Sequence, residues 1–323
     1  MSQAPSAAAS PNTSPWRKWL AYGLLLAFAA WCLKGFHKDL SAIEVGPLVQ
    51  HWPVVAAAGL LSLFNYVMRV VRWRLYLVRL GHALPWRFVG LTFMAGFAFT
   101  LSPGKLGEMV RARYYQPLGL SLSRITAAFF VERLLDLLAM ILLAVAVLAE
   151  LKAYQHALWV AVGLVSGLLT MLALTPWPKV ARYLSAHPHA QSRLYTAAQS
   201  VVSMLSSAGL FLTPGLLVTG LSLGLVAWGA EAYGLQLVAN ALPGGGLSLP
   251  SAMGIYAIAI IVGALSFLPG GLGSTEAVMA ALLHTHGFSM PDAILLTLVC
   301  RLLTLWLAVV IGWGCVWALR AKS

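Results

Sequence analysis

The 323-residue chain is 60% hydrophobic and only 9% charged, with a mean hydropathy of +0.83, which excludes an ordinary soluble domain and indicates a helical membrane protein. Its formal charge of +12 does not point to nucleic acid, because the basic residues form short clusters beside apolar runs. Membrane topology and anionic headgroups account for that placement.

Residues 1–15, rich in Ser, Ala and Pro, are expected to be disordered, and 16–323 to form a single membrane domain. Arg17 and Lys18 precede an apolar run at 19–36, read as a first transmembrane helix: Trp31 is too bulky just before Cys32 for lipoprotein cleavage. The next run, 52–71, is long enough to cross a hydrocarbon core of about 30 Å. It ends in Arg69-Val70-Val71-Arg72-Trp73-Arg74. Arg69 and Arg72 share a helix face and are expected to snorkel to the headgroups, with Trp73 and Trp86 at the interface. Arg72 is also a candidate for binding a lipid phosphate.

The run 86–101 is too short for a crossing before it meets Ser102-Pro103-Gly104-Lys105-Leu106-Gly107-Glu108, after which come Arg111 and Arg113. A charged segment at that depth does not face lipid alone, so 86–118 reads as a re-entrant helical hairpin. A full span at 125–149 follows, carrying Glu132, Arg133 and Asp136, and then a span at 157–174. Residues 177–207 read as a long polar connection in which His187 and His189 flank Pro188 without further metal ligands. A span at 212–237 holds Glu231, which has no local partner in sequence and is a candidate proton carrier. The run 252–268 then meets Pro269-Gly270-Gly271-Leu272-Gly273-Ser274-Thr275-Glu276. The chain returns over 275–286 and crosses finally at 293–319 around Arg301.

The two breaks are copies. At an offset of 168 residues Glu108 falls on Glu276, Gly119 on Gly287, Ser121 on Ser289 and Arg133-Leu134-Leu135 on Arg301-Leu302-Leu303. A two-residue shift brings Pro103, Gly104, Leu106 and Gly107 onto Pro269, Gly270, Leu272 and Gly273. The units run over about 52–149 and 212–319. With both hairpins returning to their own side, the fold class is an all-α polytopic membrane protein with six crossings, two re-entrant hairpins and an inverted internal repeat. If both hairpins cross, there are eight crossings. Basic residues then gather on one face, which the positive-inside rule makes cytoplasmic, together with both termini.

Inverted repeats with broken helices recur in secondary transporters. A helix restarting at Gly107 or Ser274 presents free N–H groups and a positive dipole end to a phosphate or carboxylate. Lys105 adds charge to the first site, while Gly271 is expected to leave the second open and neutral. Charges at bilayer depth cost roughly 2.5 to 3.5 kcal/mol on insertion scales, so Glu108, Glu132, Arg133, Asp136, Glu276 and Arg301 need a reason. Cross-repeat ion pairs, Arg133 with Glu276 and Arg301 with Glu108, are one expectation, and a translocation role for Glu108 and Glu276 is another. Motifs for nucleotide, dinucleotide or metal chemistry are lacking, His284-Thr285-His286 and the three cysteines included, so no cofactor or metal is expected and the chain does not read as an enzyme.

The segment Ser102 to Glu108 with Arg111, the Glu132-Arg133-x-x-Asp136 span, the Pro269 to Gly273 break with Glu276, and Arg69-x-x-Arg72-Trp73 together resemble the flippase-like membrane domain of lysylphosphatidylglycerol synthases and their stand-alone bacterial relatives. In the synthases a soluble C-terminal domain transfers the aminoacyl group. This chain ends at Ser323 without one, so the resemblance implies lipid translocation and not lysyl transfer.

The leading expectation is a translocase in a bacterial inner membrane, moving an anionic or aminoacylated phospholipid or a polyprenyl-linked lipid between leaflets. The phosphate is expected at the broken ends with Lys105, Arg72 and Arg111. An alternative is a non-transporting partner that presents lipid to a separate synthase or glycosyltransferase. A third is an intramembrane enzyme with Glu132 and Asp136 as acid and base.

Overall fold

The apolar runs form helices. The computed structural model describes residues 45–148, 155–186, 193–242 and 244–321, and no strand occurs among them. The tail at 1–15, the run at 19–36, Cys32, His187 and His189 lie outside the described residues.

Helix α1, Trp52–Arg79, places Pro53 in its first turn, where the missing N–H breaks no intrahelical bond. Helix α2, Trp86–Ala95, tightens into a 3₁₀ turn at Gly96–Phe99 and ends at the Pro103 break. A nine-residue 3₁₀ run, Pro103–Arg111, and a single α-turn, Ala112–Tyr115, bring the chain back. Such a run is unusual, because 3₁₀ hydrogen bonds rarely hold beyond three or four residues. Here tertiary contacts keep it in place. Helices α3 (Leu122–Leu148), α4 (Gln155–Leu174), α5 (Trp177–Ala186), α6 (Arg193–Ala208) and α7 (Pro214–Asn240) follow.

The chain goes on through α8 (Leu249–Leu265), a 3₁₀ turn at Pro269–Gly271, α9 (Ser274–Thr285), α10 (Met290–Arg301), a π-turn at Leu302–Trp306 and α11 (Leu307–Arg320). By length and composition three helices among the described residues can cross a membrane: Trp52–Arg79, Pro214–Asn240 and the continuous Met290–Arg320. The polar stretch expected at 177–207 as a loop is instead the helix pair α5 and α6, whose apolar residues recur at helical spacing.

Both Pro-Gly segments are hairpins. In the first, the Tyr115 hydroxyl meets Thr92 Oγ1 at 2.6 Å, Thr100 Oγ1 donates to Glu108 at 3.0 Å, and Gly107 N–H donates to Ser102 Oγ at 2.5 Å. Successive residues of the entering limb pair with ever earlier residues of the return, as antiparallel limbs must. In the second, Ser274 Oγ donates to Ser266 Oγ at 2.8 Å, and Gly263 packs so closely on Thr275 that any side chain there would strike its hydroxyl. The tips meet: a Cβ on Gly270 would lie 2.7 Å from Leu101. Gly270 also needs its φ of 63°, a conformation that glycine adopts at little cost. Around the tips α1 packs on α7, α8 on α3 and α9, and α11 on α2.

Candidate functional site

One face of α1 is polar at membrane depth. Ser62, Asn65, Arg69 and Arg72 follow one another at helical spacing, all buried. Arg69 and Arg72 reach residues from the first hairpin and from α3, and the result is an ionic cluster of four guanidiniums, Arg69, Arg72, Arg111 and Arg133, around three carboxylates, Glu108, Glu132 and Asp136.

Glu132 is the hub. It is fully buried and lies 2.8 Å from Arg133, 3.4 Å from Arg111, 3.5 Å from Arg72 and 3.8 Å from Arg69. Asp136, one turn further along α3, accepts from Arg72 at 2.6 Å and from the Trp228 indole of α7 at 3.0 Å, and lies 3.2 Å from Arg133. Glu108 accepts from Arg111 at 3.1 Å and from Thr100. Each buried ion costs several kcal/mol of desolvation, which the interleaving of opposite charges offsets. Aromatic faces close the remaining space: Arg111 lies 4.3 Å from the Trp73 ring and 4.6 Å from Phe93.

Arg69 is held differently. Its nearest carboxylates are at 3.8 and 3.9 Å, and its Nε and Nη2 have no hydrogen-bond partner among the described residues. Phe93, Phe97 and Trp228 surround the guanidinium at 5.1 to 5.7 Å. It lines a cavity of about 50 Å³ with Tyr66, Thr100, Glu231, Tyr256 and Arg301. That volume holds water molecules and is too small for a whole lipid headgroup. Glu231 accepts a short hydrogen bond from the Tyr256 hydroxyl. A second, smaller cavity shares Glu231 and Thr304 and continues along α1 past Ser62 and Ala58.

The second break is built more simply. Glu276 caps its own helix, accepting from Gly273 N–H at 2.6 Å, while Arg301 Nε donates to Glu276 at 2.6 Å and Arg301 Nη2 to the Gly270 carbonyl at 2.7 Å. Immediately after Arg301 the chain makes its π-turn, and the Tyr66 hydroxyl donates to the carbonyl of Thr304 at 2.6 Å. A widened turn leaves carbonyls that need such a partner.

Several expectations are corrected here. Arg72 does not snorkel and Trp73 is not interfacial: both are buried, and the Trp73 indole donates to Tyr115. The expected pairs Arg133 with Glu276 and Arg301 with Glu108 do not form: Arg133 pairs with Glu132 beside it at 2.8 Å, and Arg301 with Glu276 at 2.6 Å. No α-helix restarts at Gly107, whose N–H is taken by Ser102; one does restart at Ser274, and Glu276 accepts from the Gly273 N–H just before it. Gly271 is not an open position, since a Cβ there would meet Thr275 Oγ1 at 2.7 Å. Glu231 has a partner in Tyr256. Pro103, Gly104 and Lys105 lie within the 3₁₀ run, and Pro269 within the second turn. Arg69, Tyr66, Thr100, Trp228 and Tyr256 had not been singled out as site residues. The polar stripe at 62, 65, 69 and 72 was the available signal.

A polytopic helical membrane protein with a buried ionic cluster beside two broken hairpins is the class that fold and site define. The chain belongs to the family of the lysylphosphatidylglycerol synthase TM region, which it matches over residues 18–312. It is 28% identical over 315 residues to a UPF0104 membrane protein of Methanothermobacter thermautotrophicus, an alignment covering 90% of this chain and 88% of that one.

Proposed function

We propose that the protein is a lipid translocase that carries an anionic or aminoacylated phospholipid, or a polyprenyl-linked lipid, between the leaflets of a bacterial inner membrane, with its basic end cytoplasmic and its two units inverted. The observation that carries this reading is the Arg69 guanidinium, buried against a cavity with hydrogen-bond donors left over, in a cluster holding one more arginine than carboxylate. A buried excess cation favours an anion beside it, and a phosphate oxygen matches a guanidinium in charge and hydrogen-bonding geometry. The cavity in this conformation is too small for a headgroup, so a headgroup enters when the hairpin tips part. Arg72 and Arg111 then exchange a carboxylate partner for phosphate, with Lys105 on the same break adding charge and Glu108 and Glu276 meeting headgroup cations.

The charge count also suggests a coupling ion. Arg301 and Glu276 cancel, so, Lys105 apart, the charged residues of the site sum to zero when Glu231 is ionised and to one positive charge when it is protonated. Proton and phosphate binding are then mutually favourable, and anion uptake rises as pH falls. Tyr256, Tyr66, Arg69, Cys300 and Arg301 surround Glu231. The test is leaflet equilibration of fluorescent phospholipid and polyprenyl phosphate in proteoliposomes. Wild type equilibrates them, while Glu108→Gln slows the process. Glu231→Gln flattens its pH dependence. Equal rates in protein-free and wild-type vesicles would remove the reading.

A further inference from the structure

A second site lies outside the ionic cluster, on the flank where α11 packs against the first hairpin. A groove of about 840 Å³ runs between them, its walls formed by Phe88, Leu91, Phe99, Val316 and Leu319, and Arg87, Arg113 and Arg320 line it as well. Among the described residues no Asp or Glu lines it. Arg87 and Arg113 are exposed and have no ion-pair partner among the described residues. Beside it the helices approach closely: Gly312 lies against the backbone of Ala98, and Ala95, Ala98 and Val316 form a small buried cluster. Exposed Trp86 and Trp317 stand in sequence beside the lining residues Arg87 and Val316, as expected of aromatic groups at headgroup depth.

We infer that this groove is a docking site for one anionic phospholipid, with the phosphodiester between Arg87, Arg113 and Arg320 and an acyl chain along Phe88, Leu91 and Leu319. Charge complementarity selects the occupant. An apolar trough lined by guanidiniums and no carboxylate suits a molecule with one anionic end and a long apolar body, and a volume within about 300 to 1,000 Å³ is typical of ligand sites. The groove also ties the first hairpin to α11: Arg87 begins the entering limb and Arg113 ends the returning one, so a lipid bridging them braces both limbs against the last helix. The inference is independent of transport, because it concerns binding only.

The experiment is native mass spectrometry of the full chain released from nanodiscs holding equal phosphatidylglycerol and phosphatidylcholine. A photocrosslinking residue at Leu91, tested separately, identifies what lies in the groove. Phosphatidylglycerol is expected to be retained preferentially, with retention falling about fivefold for each of Arg87→Gln and Arg113→Gln. Leu91→Trp, which fills the trough and keeps both arginines, is expected to reduce retention too. The Leu91 crosslinker is expected to capture lipid. Equal retention of the two lipids, wild-type retention by the double arginine variant, or capture of a peptide from residues 1–44 in place of lipid would overturn the inference. Loss of transport in an Arg69 variant leaves this binding in place, so the two readings fail separately.

Discussion

The two hairpins begin from nearly the same sequence and end in different chemistry. Around the first, seven charges interlock, drawn from α1, the 3₁₀ run and α3, and Arg69 keeps two nitrogens without a hydrogen-bond partner among the described residues where Arg72 and Arg133 keep one each. Around the second, one carboxylate and one guanidinium suffice, and both are consumed in capping α9 and tying Arg301 to the Gly270 carbonyl. The difference comes from the neighbours. Helix α1 brings Arg69 and Arg72 to the first break, whereas the second receives Tyr66 at the π-turn and the Glu231–Tyr256 pair near Arg301. On this account the second hairpin is the rigid support and the first is the part that exchanges partners.

Substitutions can break that contrast. The largest expected effect is on stability from Glu132→Gln, which leaves four guanidiniums with two carboxylates. About 3 to 5 kcal/mol should be lost, read as a fall in thermal midpoint of the detergent-solubilised protein. If Glu132→Gln is no worse than Glu276→Gln, the asymmetry is wrong. Glu276→Gln removes a cap and a single ion pair and should cost about 1 to 2 kcal/mol by the same measurement.

Glycine seams sharpen the comparison. A Cβ at Gly107 would meet the Phe99 carbonyl and Ser102 Oγ, while one at Gly263 would meet mainly the Thr275 hydroxyl. Both alanine variants should lose roughly 1 to 3 kcal/mol. Thr275→Ala should restore part of the Gly263→Ala loss, and no single side-chain truncation should rescue Gly107→Ala, because its closest obstacle is backbone.

The smallest expected stability effect is that of Arg69→Gln. Removing a loosely held cation from a cluster with an excess of arginine should leave the thermal midpoint within about 1 kcal/mol of wild type, and relief of repulsion offsets the lost contacts. A large destabilisation would show Arg69 to be a structural member like Arg72.

Much of this architecture was legible in the sequence, for identifiable reasons. Charges inside apolar runs are expensive, so Glu108, Glu132, Arg133, Asp136, Glu276 and Arg301 stood out, and Pro-Gly pairs at membrane depth marked both hairpins. Their pairing was not legible. The expected repeat symmetry suggested partners across it, whereas short-range geometry on α3 and between α9 and α10 sets them. Arg69 and Trp73 stand where the apolar run at 52–71 ends, and snorkelling and interfacial placement are the usual outcome there, but the helix runs on to Arg79. Only the contacts with the first hairpin and α7 show them buried. Tyr66, Trp228 and Tyr256 carry no charge, so an apolar sequence hides them. The helices at 177–207 were obscured because their charges drew attention away from their apolar spacing.

The most direct test of the central claim is the rate of leaflet equilibration of a fluorescent anionic phospholipid in proteoliposomes containing wild type or Arg69→Gln at matched thermal midpoints. The account predicts that the variant is slower by roughly ten- to a hundredfold, the worth of one charge-assisted hydrogen bond. Equal rates would contradict it and leave the cluster as a device for packing alone.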